Sequence, residues 1–253
     1  MIIDIYTLFP EFFQGPFTSS IIARAQKAQL VDIHIHNIRD AAIDRHKTCD
    51  DSPYGGGAGM VLKAEPVFET VEQFYTGGPI IFLAPQGKTF NQKIAEQLSN
   101  ESRLSFICGH YEGVDERIIQ HLATEVISLG DFVLTGGEPA VAVVADAVIR
   151  LIPGVLGNET STADESHTSG LLEYPQYTRP AVFREWAVPA ELLSGSHAEI
   201  FRWRRRQSLR NTLIRRPDMF TMWRQVNSPL TKEDTKILAE LQNEGLIVPD
   251  GIL

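Results

Sequence analysis

Apolar residues gather in short continuous runs along the chain, and three of these runs lead into loops that contain glycine or proline. The runs and the loops that follow them are 80–83 with 84–87, 104–108 with 109–113, and 126–129 with 130–137. Continuous apolar runs are typical of parallel strands that are buried on both faces. Because ligands bind beyond the carboxyl ends of such strands, we hypothesise that the three loops form one small-molecule pocket. Glycine after a strand is also ordinary turn chemistry, which leaves a purely structural interpretation of each loop open.

Further segments complete the pattern of an α/β protein. Strands are predicted at 2–8 and 31–38, and helices at 18–30, 66–75, 91–98 and 114–122. The stretch 139–152 is apolar on almost every side, which predicts a helix buried all round, under the pocket and against a second subunit. Its charged exceptions, Asp146 and Arg150, have i, i+4 spacing. They either pair with each other or leave Arg150 to face a substrate.

The composition changes along the chain in a way that predicts its organisation. Residues 39–60 form a long polar loop rich in glycine, for which a lid or a substrate-shaping segment is expected. After residue 153 the chain turns to glycine, serine, threonine and acidic residues, which is typical of a flexible linker. Helices are predicted beyond it at 196–216 and 231–243. We therefore predict an α/β domain over 1–156, a linker over 157–170 and a helical domain over 171–253.

Total charge and composition narrow the possible functions. The chain has 253 residues and a net charge of -9, which argues against bulk non-specific nucleic-acid binding. No apolar run reaches the ~18 residues of a membrane span, and the N-terminus lacks the basic segment of a secretory signal. The two cysteines have no CxxC spacing, so neither a disulfide framework nor a zinc site is expected, and a reducing cytoplasm fits. His34 and His36 share a strand face without a third ligand, so structural or solvent-facing side chains are expected and no metal site.

One short segment of this acidic protein concentrates basic charge. Residues 196–216 contain seven arginines beside Trp203. Guanidinium groups bind phosphate bidentately, and a local basic patch is typical of proteins that contact a nucleic-acid backbone. We expect RNA or DNA contact here, with a merely solvated helix face as the alternative. The residues expected to make this contact are Arg202, Arg205, Arg206, Arg210 and Arg215.

Long motifs in the chain carry a resemblance to a known family. They are DDSPYGGGAGM (50–60), CGHYEGVDER (108–117), SLGDFVLTGGE (128–138), RLIPGVLGNE (150–159), GLLEYPQYTRP (170–180) and LLSGSHAEI (192–200). Together these motifs resemble the bacterial tRNA (guanine-N1)-methyltransferases, TrmD, of the SPOUT class. The resemblance implies an α/β domain whose parallel sheet contains a deep trefoil knot, followed by a small C-terminal helical domain. It also implies a cytoplasmic homodimer that uses S-adenosylmethionine, with Mg²⁺ as an assisting ion, to methylate N1 of guanosine at nucleotide 37 of tRNA.

The resemblance also implies where the site residues lie. The family's substrate-side arginine falls on Arg150, which would stabilise the charge that develops on guanine O6. Its general base is a carboxylate of the linker, here Glu165 or Asp164, because this chain has Asp-Glu-Ser where an acid-Asp-Ser order is usual. The arginines named above would contact tRNA. Cofactor contacts would fall on the three loops, at Phe82, Leu83, Ala84, Pro85, Gly109, Tyr111, Glu112, Gly113, Leu129, Gly130, Asp131, Phe132, Val133, Leu134, Gly136 and Gly137.

Two other functions are compatible with the sequence. One is a nucleotide-binding enzyme that acts on a small phosphorylated substrate, with the arginines merely solvated. It predicts binding of ATP or a dinucleotide and little affinity for tRNA. The other is a non-catalytic RNA-binding module, which predicts affinity for RNA without affinity for a cofactor.

Overall fold

A five-stranded parallel sheet organises the first part of the chain, because its apolar strands can be buried on both faces. The computed structural model describes residues 1–157 and 165–248. The chain divides into two compact units, Met1–Glu159 and Thr160–Leu253. In the first unit the strand order is β2-β1-β6-β5-β7, and every neighbouring pair is parallel. These strands are β1 Ile2–Thr7, β2 Asp32–Asn37, β5 Ile80–Thr89, β6 Arg103–Ile107 and β7 Glu125–Ser128, while β3 Asp50–Asp51 and β4 Val61–Leu62 form a separate small ribbon.

Helices cover both faces of this sheet. One apolar cluster joins Ile3, Ile5 and Phe106 of the sheet to α1, α3 and α5. A second cluster joins Tyr6 and Ile107, on the opposite face, to α2 and α4. Alternate residues of β1 thus serve two different cores, which fixes the register of the sheet. The helices are α1 Ser20–Lys27, α2 Ala64–Phe74, α3 Gln92–Ser99, α4 Glu116–His121 and α5 Glu138–Ile149.

Helix α5 packs on the sheet with one side and leaves another side exposed within the first unit, so the predicted contact of that side with a second subunit stays a prediction. Val141, Val144 and Val148 are fully buried, but Val143 is 53% exposed and Asp146 is exposed. A helix that contacts the sheet on one side has a far side, and nothing else in the described part of this unit covers it. An exposed apolar residue such as Val143 on that side is compatible with the predicted subunit contact.

The second unit is mainly helical. It contains α6 Ala190–Leu193, α7 His197–Arg215, α8 Pro217–Val226 and α9 Lys232–Asn243, together with a hairpin of β8 Val182–Phe183 and β9 Trp186–Ala187. Its core is formed by Leu209, Phe220, Trp223, Ile237 and Leu241. The helices predicted at 196–216 and 231–243 have side-chain caps, since Ser196 accepts a hydrogen bond from the Glu199 N–H and Thr231 accepts one from the Asp234 N–H. In the part of the chain that the structure describes, no helix is long and apolar enough to cross a membrane.

Candidate active site

The first of the three loops leaves the sheet as a bulge in β5. Leu83 and Lys88 both pair with Ile127 of β7, so residues 84–87 are looped out of the ladder. At Gly87 the chain returns so closely to β7 that a Cβ atom would lie 2.6 Å from backbone atoms of Ile127. Only glycine fits there. The strand therefore runs longer than the apolar run 80–83 predicted, because pairing resumes after the loop.

The second loop follows β6 and is held by the segment around β4. The Glu112 N–H donates to the Met60 carbonyl at 3.1 Å, and the Leu62 N–H donates to the Gly113 carbonyl at 3.0 Å. Tyr111 adopts a positive φ of 62°, an uncommon conformation for a residue with a side chain. Burial raises the pKa of Tyr111. The end of the long loop predicted as a substrate-shaping segment thus lies directly against the second loop.

The third loop follows β7 and closes onto the second. The Gly137 N–H donates to the Gly109 carbonyl at 2.8 Å. A Cβ atom at Gly137 would lie 2.9 Å from both Cys108 Cα and Gly109 N. Next to it, the buried Glu138 accepts a hydrogen bond of 2.7 Å from the Thr7 hydroxyl, which anchors the start of α5 to β1. The two loops are therefore fixed to each other by backbone contact.

Together the three loops enclose one cavity of about 450 Å³. This volume lies within the range of small-molecule sites. The predicted convergence of the loops is confirmed, and the cavity is lined by every residue expected to contact the cofactor except Asp131, which is exposed. Residues that line it without having been predicted are Gln86, His110, Val114, Glu116, Ile119, Ile127, Ser128, Thr135 and Ala140.

A buried ring nitrogen gives the cavity a specific polar group. His110 Nδ1 is buried without a hydrogen-bond partner among the described residues, and its ring packs 4.6 Å from that of Phe9. Glu112 and Glu116 also line the cavity. The Cys108 thiol is not a candidate nucleophile, because burial, followed by the charge of Glu138, raises its pKa well above the ordinary value.

The residues predicted to act on the substrate do not belong to the three loops. Arg150 is the C-cap residue of α5, half-buried, and is not among the described residues that line the cavity. Glu165 belongs to the second unit, is half-buried, and its carbonyl accepts a hydrogen bond from the Thr168 N–H at 3.3 Å. Asp164 lies outside the described residues. The catalytic roles of these residues stay predictions.

The predicted tRNA-binding arginines divide into two groups. Arg202 binds Glu233 and Glu240 of α9, Arg205 binds Asp234, and Arg206 binds Glu244. These three guanidinium groups therefore join α7 to α9 and to Glu244, which follows α9. A phosphate would have to compete with a carboxylate for each of them. The half-buried Arg210 and the exposed Arg215 have no ion-pair partner within the described residues.

Comparisons with known proteins agree over nearly the whole chain. Residues 1–222 match the profile of a family described as tRNA (Guanine-1)-methyltransferase TrmD. A tRNA (guanine-N(1)-)-methyltransferase of Dehalococcoides mccartyi is 58% identical over 248 residues, which cover 96% of this chain and 98% of the relative. The proteins of the same name from Brevibacillus brevis and Geobacillus kaustophilus are 55% and 53% identical, over 96% of this chain and 99% of each relative.

Proposed function

The chain belongs to the tRNA (guanine-1)-methyltransferase family TrmD of the SPOUT class, and from this premise we propose that it methylates N1 of guanosine at nucleotide 37, next to the anticodon, with S-adenosylmethionine as donor. Family membership makes the chain a tRNA (guanine-N1)-methyltransferase. The donor, the nucleotide and the catalytic residues are the proposal. The observation that carries it is the single cavity where three strand-end loops of an α/β sheet meet.

The cavity has the features that a nucleoside-containing donor requires. Its walls combine apolar side chains such as Leu129 and Ala140 with backbone groups at glycines, where a ligand can approach the main chain closely. His110 adds a polar ring to the lining of the cavity. When bound, S-adenosylmethionine supplies an electrophilic methyl group. The function of the loops is to hold that group in line with the guanine nitrogen, which requires fixed rather than adaptable walls.

The substrate side needs a base and a cation. Guanine N1 carries a proton, so a carboxylate within hydrogen-bond reach must remove it as the methyl group transfers. We assign this role to Glu165 or Asp164, because the family places its base at this point of the chain. Electron density then builds on guanine O6, where the guanidinium of Arg150 can stabilise it.

Single-turnover kinetics of Glu165→Gln and Asp164→Asn, with exposed Glu191→Gln as the control, test the base assignment. Loss of a general base slows the chemical step by about 100-fold or more, so one of the first two variants should show that loss while its tRNA affinity stays unchanged. Unchanged chemistry in both would make the assignment wrong.

An assisting Mg²⁺ ion stays a prediction from the resemblance. Among the described residues, no group of three potential metal ligands lies at the cavity. Mg²⁺ prefers several oxygen ligands, and the cavity wall offers the carboxylates of Glu112 and Glu116. No step of the mechanism is assigned to the ion.

We also propose that the chain acts in the cytoplasm as a homodimer and that its sheet contains the trefoil knot of its class. The exposed apolar residues near the cavity and on α5 support the dimer: Phe132 is 54% exposed, Val133 87% and Val143 53%. Such residues, grouped on one unit, are typical of a protein-protein interface. Sedimentation equilibrium should give twice the chain mass of 28.2 kDa, and Val143→Glu should shift the equilibrium to the monomer.

Transfer of a tritiated methyl group to tRNA transcripts tests the whole proposal. A transcript with guanosine at nucleotide 37 should accept the label, and an otherwise identical transcript with adenosine there should not. Equal labelling of both would exclude nucleotide 37 as the target. Binding of ATP or a dinucleotide without S-adenosylmethionine binding would support an enzyme of small phosphorylated substrates. Affinity for tRNA without any methyl donor binding would support an RNA-binding module.

A further inference from the structure

A row of polar side chains crosses three strands on one face of the sheet, away from the cavity. In the parallel register Asp4 of β1 is opposite His34 of β2, and Tyr6 is opposite His36. On the other side of β1, Asp4 is opposite Ser105 of β6. The Asp4 side chain is fully buried, so its charge needs partners inside the protein.

The two histidines converge on one oxygen of Asp4. His36 Nε2 lies 2.9 Å from Asp4 Oδ1, and His34 Nδ1 lies 3.5 Å from the same oxygen. The potential ligand atoms of the three side chains all lie within 4.8 Å of one another. The other oxygen, Oδ2, accepts a hydrogen bond of 2.7 Å from Arg103 Nε. Arg103 therefore holds the carboxylate so that Oδ1 faces the histidines.

We propose that Asp4, His34 and His36 bind one divalent transition-metal ion of the Zn²⁺ class. Tetrahedral ligands at Zn–N and Zn–O bond lengths of ~2.0–2.2 Å lie about 3.3–3.5 Å apart. The separation between His34 and Asp4 already has this value. His36 needs only to exchange the hydrogen bond to Asp4 for a bond to the metal, with a small shift of the ring.

The surroundings orient each histidine as a metal site requires. His34 Nε2 lies 3.0 Å from Asp32 Oδ2, so it can donate its proton there and leave the lone pair of Nδ1 towards Asp4. A carboxylate behind a histidine is the usual outer partner of a metal ligand. His36 is stacked between Tyr6 and Phe74, with ring centroids 5.1 and 4.1 Å away, so its ring cannot turn freely.

The exposure of the site and the chemical type of its ligand atoms determine which metal ion it can bind. The His34 side chain is 43% exposed, which gives an ion an entry path and leaves a fourth position for water. Two nitrogen ligands favour Zn²⁺ or its neighbours over Mg²⁺ and Ca²⁺, which prefer oxygen. The positive charge of Arg103 lowers the affinity, and the negative charge of Asp32 opposes that effect. None of these residues lines the cavity, so the ion would clamp edge strand β2 to β1 rather than take part in methyl transfer.

Metal titration of the full-length, tag-free protein tests this site. Zn²⁺ binding is measured by competition with a chromophoric chelator, and Co²⁺ serves as a spectroscopic probe of a nitrogen-ligated tetrahedral ion. We expect one high-affinity ion per chain, at least a roughly 10-fold loss of affinity in His34→Asn and His36→Asn, and a loss of about 10–100-fold in Asp32→Asn. Exposed His46→Asn is the matched control and should bind as the unaltered protein does.

A thermal readout separates a bound ion from a folding defect. Zn²⁺ should raise the melting temperature of the unaltered protein and of the His46 variant, but not of His34→Asn, whose half-exposed side chain can be replaced without unfolding. Circular dichroism of each metal-free variant checks that it is folded. Absence of stoichiometric Zn²⁺ binding in the unaltered protein would overturn the proposal. Equal Zn²⁺ affinity in folded His34→Asn, or Mg²⁺ binding with similar affinity, would do the same.

Discussion

The cavity in the first unit and the arginine-rich helix in the second are built in opposite ways. Around the cavity, backbone lies directly against backbone, and Gly137 has no room for a side chain beside Cys108. On α7, long side chains make the contacts, and Arg202 and Arg205 reach carboxylates that are 38 and 29 residues away in sequence. The loops around the cavity can pack closely because their glycines have no side chains. The arginines of α7 are held by ion pairs with residues that come close only when the unit folds.

This difference explains why the two regions are not equally predictable. A glycine and the apolar run before it are neighbours in the chain, so local sequence contains most of the information about a strand-end loop. Whether an arginine is paired with a carboxylate depends on residues that are distant in the sequence. A cluster of arginines in the sequence therefore predicts a basic binding surface, but only the structure shows which of these arginines are already paired with carboxylates.

The largest effect should come from filling the backbone contact at Gly137. Gly137→Ala places a Cβ atom 2.9 Å from Cys108 Cα and Gly109 N, so the two loops must separate. Misplacement of a reacting group by about 1 Å can lower a rate by roughly 100-fold, and overpacking costs about 1–3 kcal/mol of stability. Steady-state methyl transfer and urea unfolding measure the two effects.

Gly15→Ala is the matched control for this prediction. Gly15 has an ordinary φ of -74°, and a Cβ atom there would meet nothing within 4 Å. Its activity and free energy of unfolding should be unchanged. If Gly137→Ala behaved in the same way, the loops would not be held by close backbone contact.

The next largest effect concerns the buried charge between α7 and α9. Asp234→Asn leaves Arg205 without its carboxylate partner, and the Asp234 side chain is only 6% exposed. Breaking a fully buried pair costs ~3–5 kcal/mol; here we expect roughly 2–3 kcal/mol, because water reaches the guanidinium. Urea unfolding, followed by the fluorescence of Trp203 and Trp223, measures this loss.

The pH dependence gives the same pair a second test. Burial raises the pKa of Asp234, but the hydrogen bonds from Arg205 and Thr231 and the positive charge of Arg205 together outweigh burial, so the pKa in the folded protein is lowered. A lowered folded pKa contributes stability above the unfolded value of ~3.9, and that stability is lost as the pH falls through the folded pKa. The difference between the unaltered protein and Asp234→Asn should therefore be constant near pH 7 and shrink below about pH 4. A difference that stays constant at low pH would contradict an ion pair.

A smaller effect should separate the arginines that bind tRNA from those that hold the unit together. Arg210→Gln and Arg215→Gln should each weaken tRNA binding several-fold and lower the slope of log affinity against log salt by about 1. Arg202→Gln should change tRNA affinity less, because Glu233 and Glu240 already occupy its guanidinium. Filter binding at several salt concentrations measures both quantities. A larger loss in Arg202→Gln than in Arg210→Gln would place the phosphate contacts on the paired face instead.

The sequence predicted the individual strands and helices better than it predicted which surfaces pack against them. The strands that begin at Ile2 and Ile80 and the helices at 196–216 and 231–243 could be predicted from local pattern, because propensity and apolar periodicity act over a few residues. Helix α8 was missed, since Pro217 directly after α7 ends one helix and also begins another. The apolar pattern of α5 predicted burial on every side, but hydrophobicity alone does not identify whether the same chain or a second subunit covers Val143.

For the candidate sites too, local sequence predicts some residues, and others can be found only from the packing of the fold. His110 stands between two predicted residues and could have been found, whereas Ala140 and Ile119 reach the cavity only because helices α5 and α4 pack beside it. The third partner of His34 and His36 was invisible to spacing, because Asp4 is brought next to them by strand pairing across about thirty residues. The register in which β1 pairs with β2 brings these three side chains together, and composition gives no sign of it.

The smallest expected effect is that of removing an exposed charge, Glu233, beside the buried charge Asp234 on the same turn of α9. Glu233 is next to Asp234 on α9 and pairs with Arg202 at 2.8 Å, close to the 2.7 Å of the buried pair, yet the Glu233 and Arg202 side chains are 50% and 37% exposed. Solvent screens such a pair, and holding two long side chains in place costs entropy, so its contribution is about 0–1 kcal/mol. Arg202 also keeps Glu240 as a partner after the change. Glu233→Gln should therefore alter the free energy of unfolding by less than about 0.5 kcal/mol, against the several-fold larger loss in Asp234→Asn. Equal losses in the two variants would mean that distance rather than burial determines the strength of these ion pairs.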